Sequence, residues 1–261
     1  METVTRKSML YKSGVEFEDY ALNHVQGCTH DCKYPCYARL IKKVKAEDWK
    51  NVKLVNNALD LLDKEIPKFK NEVKQVHLCF STDPFMYNQP DVIDLSLKII
   101  DKLLANNINI KVLTKGILPN EIIDIEKKYN PTIKNHYGIS LVNTNEDFRQ
   151  KYEPGASSYV DRIQALRNLN NGELYTYVYM EPFNPINITL QEFKSMLDNI
   201  NFTNKIYYES WQYNKAFANG NNYTEYYNYL NSFCITNNIE LKVKEKMRNK
   251  LEKEQSNKLG I

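Results

Sequence analysis

The feature that most constrains this chain is a regular alternation of short apolar runs with amphipathic stretches. Residues 20–26 (YALNHVQ), 75–83 (QVHLCFSTD), 109–116 (NIKVLTKG), 136–142, 174–181 and 205–211 read as strands. Residues 48–69, 91–107, 120–129, 159–169, 190–200 and 223–237 read as helices, with a last strand expected at 240–244. Within 48–69, for instance, Val52, Val55, Leu59, Leu62 and Ile66 recur at near-helical spacing. Strands separated by helices pair in parallel, and right-handed crossovers then leave either a doubly wound sheet or a barrel. The expected fold class is α/β, a partial (β/α)6-type TIM barrel. Its core is placed at residues 15–215, with a short C-terminal extension, 216–261, packed on it. The polar stretch 214–222 reads as a loop, and the charged last residues as a helix end or a frayed tail.

Composition removes several classes. With 42% hydrophobic and 26% charged residues, the chain can bury a core and does not read as disordered. No run approaches the length of apolar residues that a bilayer span needs, and the first residues lack the apolar centre of a signal peptide. The expectation is a cytoplasmic protein with no membrane partner. The 35 basic and 32 acidic residues nearly balance, so total charge gives no preference for a phosphate-backbone partner, although a local basic groove is compatible with it.

The cysteines carry the chemistry. There are five, an odd number, and three fall in GCTHDCKYPCYAR as Cys28, Cys32 and Cys36, with three residues between successive thiols. A disulfide framework is a poor reading of this pattern, and metal binding a better one. Thiolates spaced this closely on one loop can hold three corners of a cuboidal iron–sulfur cluster, leaving one iron without a protein ligand. The competing reading is a zinc site completed by His24 or His30, although paired C-x2-C elements are absent. Cys79 and Cys234 fall within apolar elements and read as small buried residues.

The run NHVQGCTHDCKYPCYAR resembles the cluster loop of radical S-adenosylmethionine enzymes, in particular the spore photoproduct lyase-like branch. One departure is Pro35, which makes the second spacing three residues where the family has two. The resemblance extends through VKLVNNALDLLDKEI at 52–66, STDPF at 81–85, LTKG at 113–116, GISLV at 138–142, YEPGASSYVDRIQALRNL at 152–169 and YVYMEPFNPIN at 177–187.

The resemblance implies a 4Fe–4S cluster held by Cys28, Cys32 and Cys36, and S-adenosyl-L-methionine as cofactor. Reductive cleavage of that cofactor gives methionine and a 5′-deoxyadenosyl radical, which abstracts hydrogen from a substrate. A nucleic-acid base or lesion is the substrate class that the branch suggests. An electron donor such as flavodoxin or ferredoxin is the implied partner. Tyr34 or Tyr37 would lie against the adenine, Ser81 and Ser140 would reach the methionyl or ribose groups, Lys115 would pair with the cofactor carboxylate, and Asp83 would bind cofactor or substrate. Asp83-Pro84 is also a common turn-former, and Glu153 and Arg162 also read as a pair satisfied by each other. The alternative from a different class is a non-catalytic metal-binding module, structural or redox-sensing.

Overall fold

The computed structural model describes residues 1–34, 36–69, 71–129, 134–210 and 222–259, the last three as backbone. The N-terminal part contains β1 (Glu2–Val4), β2 (Tyr11–Lys12), β3 (Tyr20–Leu22) and β4 (Val25–Gln26), then α1 (Tyr37–Lys42), α2 (Ala46–Trp49), β5 (Lys53–Val55) and α3 (Ala58–Phe69). Strand–helix alternation follows with β6 (Gln75–Leu78), α4 (Pro90–Leu104), β7 (Asn109–Thr114), α5 (Glu121–Tyr129) and β8 (His136–Ser140). Next come α6 (Glu146–Tyr152), α7 (Tyr159–Asn171), β9 (Tyr175–Phe183), α8 (Leu190–Asp198), β10 (Lys205–Ser210), α9 (Tyr223–Thr236), β11 (Glu240–Val243) and α10 (Glu245–Leu259).

The main sheet has the order β11-β10-β9-β8-β7-β6-β3-β2 and is parallel from β3 to β11, with β2 antiparallel at its edge. This is the partial barrel that the alternation predicts. β11 pairs with β10 in register, so residues on either side of the 215/216 boundary share one sheet. The N-terminal segment enters both sheets, through β2 on β3 and β1 on β5.

Three expected elements differ. The helix expected over 48–69 is α2, β5 and α3 in succession. Val52 and Val55 match helical spacing with Leu59, yet residues 53–55 are extended and pair with both β1 and β4, where a β-branched residue packs well. The strand expected over 20–26 divides into β3, in the main sheet, and β4, in the small sheet of three. The strand expected over 75–83 stops at Leu78, because Cys79 turns left-handed with φ +53. Trp211, expected to end a strand, lies outside the described residues, as does most of the loop expected at 214–222.

Period-two alternation divides each strand between two environments. Ile110 and Val112 of β7, Tyr137 and Ile139 of β8, Val178 and Met180 of β9, and Ile206 of β10 are fully buried in the helix-covered core. The intervening residues face the barrel interior and are unusually polar. There Lys111 Nζ contacts Glu18 Oε1 at 2.6 Å and lies 4.5 Å from the Tyr207 ring centroid. His77 Nδ1 meets Glu18 Oε2 at 2.9 Å. Burial alone would raise the Glu18 carboxyl, but His77 and Lys111 hold it down at about 2.

Gly138 in β8 makes room for this interior. A Cβ there would lie 2.3 Å from the ring of Tyr177, whose hydroxyl donates to the Val112 carbonyl at 2.8 Å. Gly138→Ala is therefore expected to lower stability by about 1–3 kcal/mol, the ordinary range for overpacking a filled core. Urea unfolding checks this, and an unchanged midpoint would show that the Tyr177 ring is not fixed.

Candidate active site

The chemistry-bearing residues gather at the C-terminal ends of the parallel strands. Cys28, Cys32 and Cys36 follow β3 and β4, Ser81 and Asp83 follow β6, Lys115 follows β7 directly, and Ser140 ends β8. Barrel active sites are built at this end, where successive strand-to-helix loops converge.

Backbone contacts fix the cysteine loop from three sides. The Cys28 N–H donates to the Trp49 carbonyl at 2.8 Å, and the Lys33 N–H to the Tyr152 carbonyl at 2.8 Å. The Gly155 N–H donates to the His30 carbonyl at 3.0 Å. A Cβ on Gly155 would lie 2.1 Å from the Thr29 carbonyl oxygen, so only glycine allows this approach. His30 stitches the loop to the next strand end. Its Nε2 accepts from the Tyr87 N–H at 3.0 Å, which leaves Nδ1 to carry the proton, 3.4 Å from Asp83 Oδ2.

The three thiols are free and partly exposed. Burial raises Cys28 well above its ordinary range, with Asp83, Cys32 and Cys36 adding to the shift. Burial pushes Cys32 up to about 12, with Lys115 opposing and Glu153 and Cys36 reinforcing. These thiols thus sit close enough to disfavour one another's ionisation, and a cationic partner would reverse that. Among the described residues no three His, Cys, Asp or Glu side chains converge on a single ion. A cuboidal cluster places each thiolate on a different iron, so convergence on one point is not what its binding requires. The donor set fits such a cluster.

His24 and His30, the candidate fourth ligands of a zinc site, have both ring nitrogens engaged inside the fold. His24 Nε2 lies 2.7 Å from Ser96 Oγ and its Nδ1 3.3 Å from Cys79 Sγ, and burial lowers the ring to about 3. Cys79 is buried, as is Cys234.

Lys115, Ser140 and Tyr34 come together around Glu153. Lys115 Nζ donates to Ser140 Oγ, lies 3.2 Å from Glu153 Oε1, and sits 5.7 Å from the Tyr34 ring centroid. The Tyr34 hydroxyl donates to the same Glu153 oxygen. Fully buried Arg162 meets Glu153 Oε2 at 3.1 Å and donates to the Ser140 carbonyl at 2.7 Å. Glu153 and Arg162 therefore do pair, but the same carboxylate also anchors Lys115 and the cysteine loop. Ser140 Oγ reaches the Glu181 carbonyl at 3.2 Å, bringing β9 into the site.

The remaining candidates lie nearby. Asp83 Oδ1 accepts from Thr114 Oγ1 at 2.6 Å and from the Phe85 N–H at 2.9 Å, and Oδ2 from the Lys115 N–H at 2.8 Å. It shapes its turn and also clasps the end of β7. Ser81 meets Asn23 Oδ1 through its N–H at 2.9 Å and its hydroxyl at 3.0 Å. Tyr37 donates to the Phe80 carbonyl and packs edge-on to that ring. Tyr34 stacks on Tyr152. Pro35 lies outside the described residues. Asn23 and Gly155 were not singled out from sequence, although both fall inside segments that carried the resemblance.

A parallel α/β partial barrel with a three-thiol loop over its C-terminal strand ends defines the class, a barrel whose loop chemistry suits a bound cofactor. The chain belongs to the radical SAM superfamily, whose description matches residues 22–200. It is 26% identical over 197 residues to the uncharacterised protein ORF301 of Acidianus two-tailed virus, covering 72% of this chain and 64% of that one. It is 28% identical over 226 residues to the uncharacterised protein MJ0683 of Methanocaldococcus jannaschii, covering 84% and 80%. A spore photoproduct lyase variant with bound AdoMet and dinucleoside spore photoproduct has the same fold, with a TM-score of 0.62 at 16% identity. That match covers 81% of this chain and 62% of the lyase. Among the described residues no helix is long and apolar enough to cross a membrane.

The Glu153 network makes a pH-dependent prediction. Burial alone would raise this carboxyl, but Lys115, Arg162 and the Tyr34 hydroxyl hold it at about 2, well below the ordinary glutamate range. A carboxyl depressed by folding stabilises the protein above its unfolded pKa, and that contribution is lost as pH falls through the folded value. Urea unfolding followed from about pH 5 down to about pH 2 should show the acid-dependent loss in the native chain. Glu153→Gln should be destabilised already at neutral pH and lack that part of the slope. Equal acid slopes in both would contradict the ionised network.

Proposed function

We propose that this chain is a radical S-adenosylmethionine enzyme. Cys28, Cys32 and Cys36 hold three irons of a 4Fe–4S cluster, the fourth iron is left to the cofactor, and a substrate in the barrel loses a hydrogen atom. The observation that carries the reading is Lys115, whose ammonium stands at a strand end with Ser140, Glu153 and the Tyr34 ring, next to the cysteine loop. When bound, the cluster supplies the electron that splits S-adenosylmethionine into methionine and a 5′-deoxyadenosyl radical.

The chain's own residues bind and orient. Lys115 offers a cation to the methionyl carboxylate, and Glu153 keeps that cation aimed while the site is empty of anions. Ser140, at the end of β8, and Ser81, beyond the end of β6, flank the β7 end that carries Lys115 and are assigned to the methionyl and ribose groups. Tyr37, which is partly exposed, is assigned to the adenine, because Tyr34 is buried between Tyr152 and Glu153. Asp83 is assigned to holding the Lys115 backbone and the His30 imidazole in place. The barrel's polar interior, beyond Ser140, receives the substrate. The lyase's dinucleoside photoproduct is the first substrate to test, since the relatives share this fold.

Anaerobic reconstitution tests the reading. The protein should take up about four irons per chain and, with dithionite, release 5′-deoxyadenosine. Lys115→Ala should weaken S-adenosylmethionine binding by roughly tenfold or more, the scale of a lost charged hydrogen bond, with iron content unchanged. Loss of iron in that variant would contradict the placement of Lys115. Zinc in place of iron, with no cofactor cleavage, would establish a non-catalytic module instead.

A further inference from the structure

Tyr34 is a buried phenol of the cysteine loop that the reaction above does not use. Its ring stacks on Tyr152, and its hydroxyl donates to Glu153 Oε1. The same oxygen lies 3.2 Å from Lys115 Nζ, and Oε2 lies 3.1 Å from Arg162. Glu153 is fully buried, so its anion rests on these three donors. The phenol also stands close to Cys32, two residues before it. Burial disfavours the Cys32 thiolate, and a hydrogen bond with Tyr34 acts against that penalty. One hydroxyl therefore faces two acceptors, the carboxylate that aims Lys115 and a thiol assigned to iron.

We propose that the Tyr34 hydroxyl couples occupancy of the cofactor site to the reduction potential of the cluster. This rests on the cluster reading above. A phenol has one proton to donate, so it serves one acceptor at a time. With Lys115 and Arg162 both on Glu153, the carboxylate is well compensated and can release the Tyr34 donor to the thiolate of Cys32. A methionyl carboxylate draws on the Lys115 ammonium. Glu153 Oε1 then has to keep Tyr34, because a buried carboxylate short of partners is costly. Only the O–H bond has to turn, since the ring stays on Tyr152, 6.3 Å between centroids.

A hydrogen bond to a ligand sulfur stabilises the reduced, more negative cluster and so raises its potential. With the site empty, Tyr34 supplies that bond and the reduced cluster is a mild reductant. With the cofactor in place, Glu153 withdraws the donor and the potential falls. Reduction adds one electron from an external reductant, the Tyr34 proton stays on its oxygen, and no bond forms or breaks. Tyr34 is thus a positioning residue, and the electron is most reducing only where a sulfonium is present to accept it.

Redox titration of the reconstituted protein, followed by electron paramagnetic resonance, tests this without turnover. The probe is S-adenosyl-L-homocysteine, which carries the amino and carboxylate groups but no sulfonium to cleave. Tyr34→Phe keeps the ring and removes the donor. Without the probe, the variant should be harder to reduce than the native protein by roughly tenfold in the reduced-to-oxidised ratio, the scale of one charged hydrogen bond. For one electron that is about 59 mV. With the probe bound, native and variant midpoints should nearly coincide. A gap that is equal in both states, absent from both, or confined to the probe-bound state would overturn the proposal. A second measurement needs no variant. In native protein exchanged into heavy water, electron-nuclear double resonance should show a deuteron coupled to the probe-free reduced cluster and lost on adding the probe. Deuteron couplings indifferent to the probe would overturn the proposal even where Tyr34→Phe fails to fold. Failure of the cluster reading would show separately, as native protein that takes up no iron.

Discussion

The site depends on one buried carboxylate. Glu153 is almost fully enclosed, and it survives as an anion because Lys115 and Arg162 approach its two oxygens from opposite sides while Tyr34 donates to one of them. Removing Glu153 leaves the fully buried Arg162 guanidinium without its counter-charge, a loss on the order of 3–5 kcal/mol. What the arrangement contributes is geometric more than energetic. Tyr34 belongs to the cysteine loop, Lys115 to the end of β7, Arg162 to α7, and Arg162 in turn holds the Ser140 carbonyl at the end of β8. Four separate segments are thereby referred to a single point.

A second set of contacts keeps the cysteine loop in register with this point. His30 reaches Asp83, and Asp83 accepts the Lys115 N–H, so the loop, the end of β6 and the end of β7 form a closed chain of hydrogen bonds. Gly155 presses the backbone after Glu153 against Thr29. Helix capping holds the distal side, where Ser158 accepts from the Asp161 N–H at 3.0 Å and so fixes the start of the helix that carries Arg162. Function can be placed on loops here because the strands beneath them are packed rigidly against the helical layer.

Much of this was legible in the residues. The strands β6 to β10 read clearly because their core-facing positions are aliphatic or aromatic, and α4, α5 and α7 to α9 because their apolar stripes follow a helical period. The short pieces were harder. The segment holding β5 imitates a helix, since Val52 and Val55 are three apart, and only pairing with β1 and β4 decides the matter. α1 and α6 are too short to show periodicity. For the site, local spacing pointed to the three cysteines, while Lys115, Ser140 and Asp83 came from the family resemblance. The central part of Glu153 could not be read from spacing, because its partners lie 9, 38 and 119 residues away along the chain, the outermost two being Arg162 and Tyr34. His30 was read as a candidate metal ligand, whereas the fold uses it as a brace.

The central claim is that this network presents S-adenosylmethionine to an iron that carries no side chain. Electron-nuclear double resonance on the reduced, reconstituted protein, with the cofactor's amino nitrogen labelled by 15N, tests it directly. The account predicts a hyperfine coupling between that nitrogen and the cluster. A spectrum indifferent to the label, or one showing coupling to a histidine nitrogen of the chain instead, would contradict it.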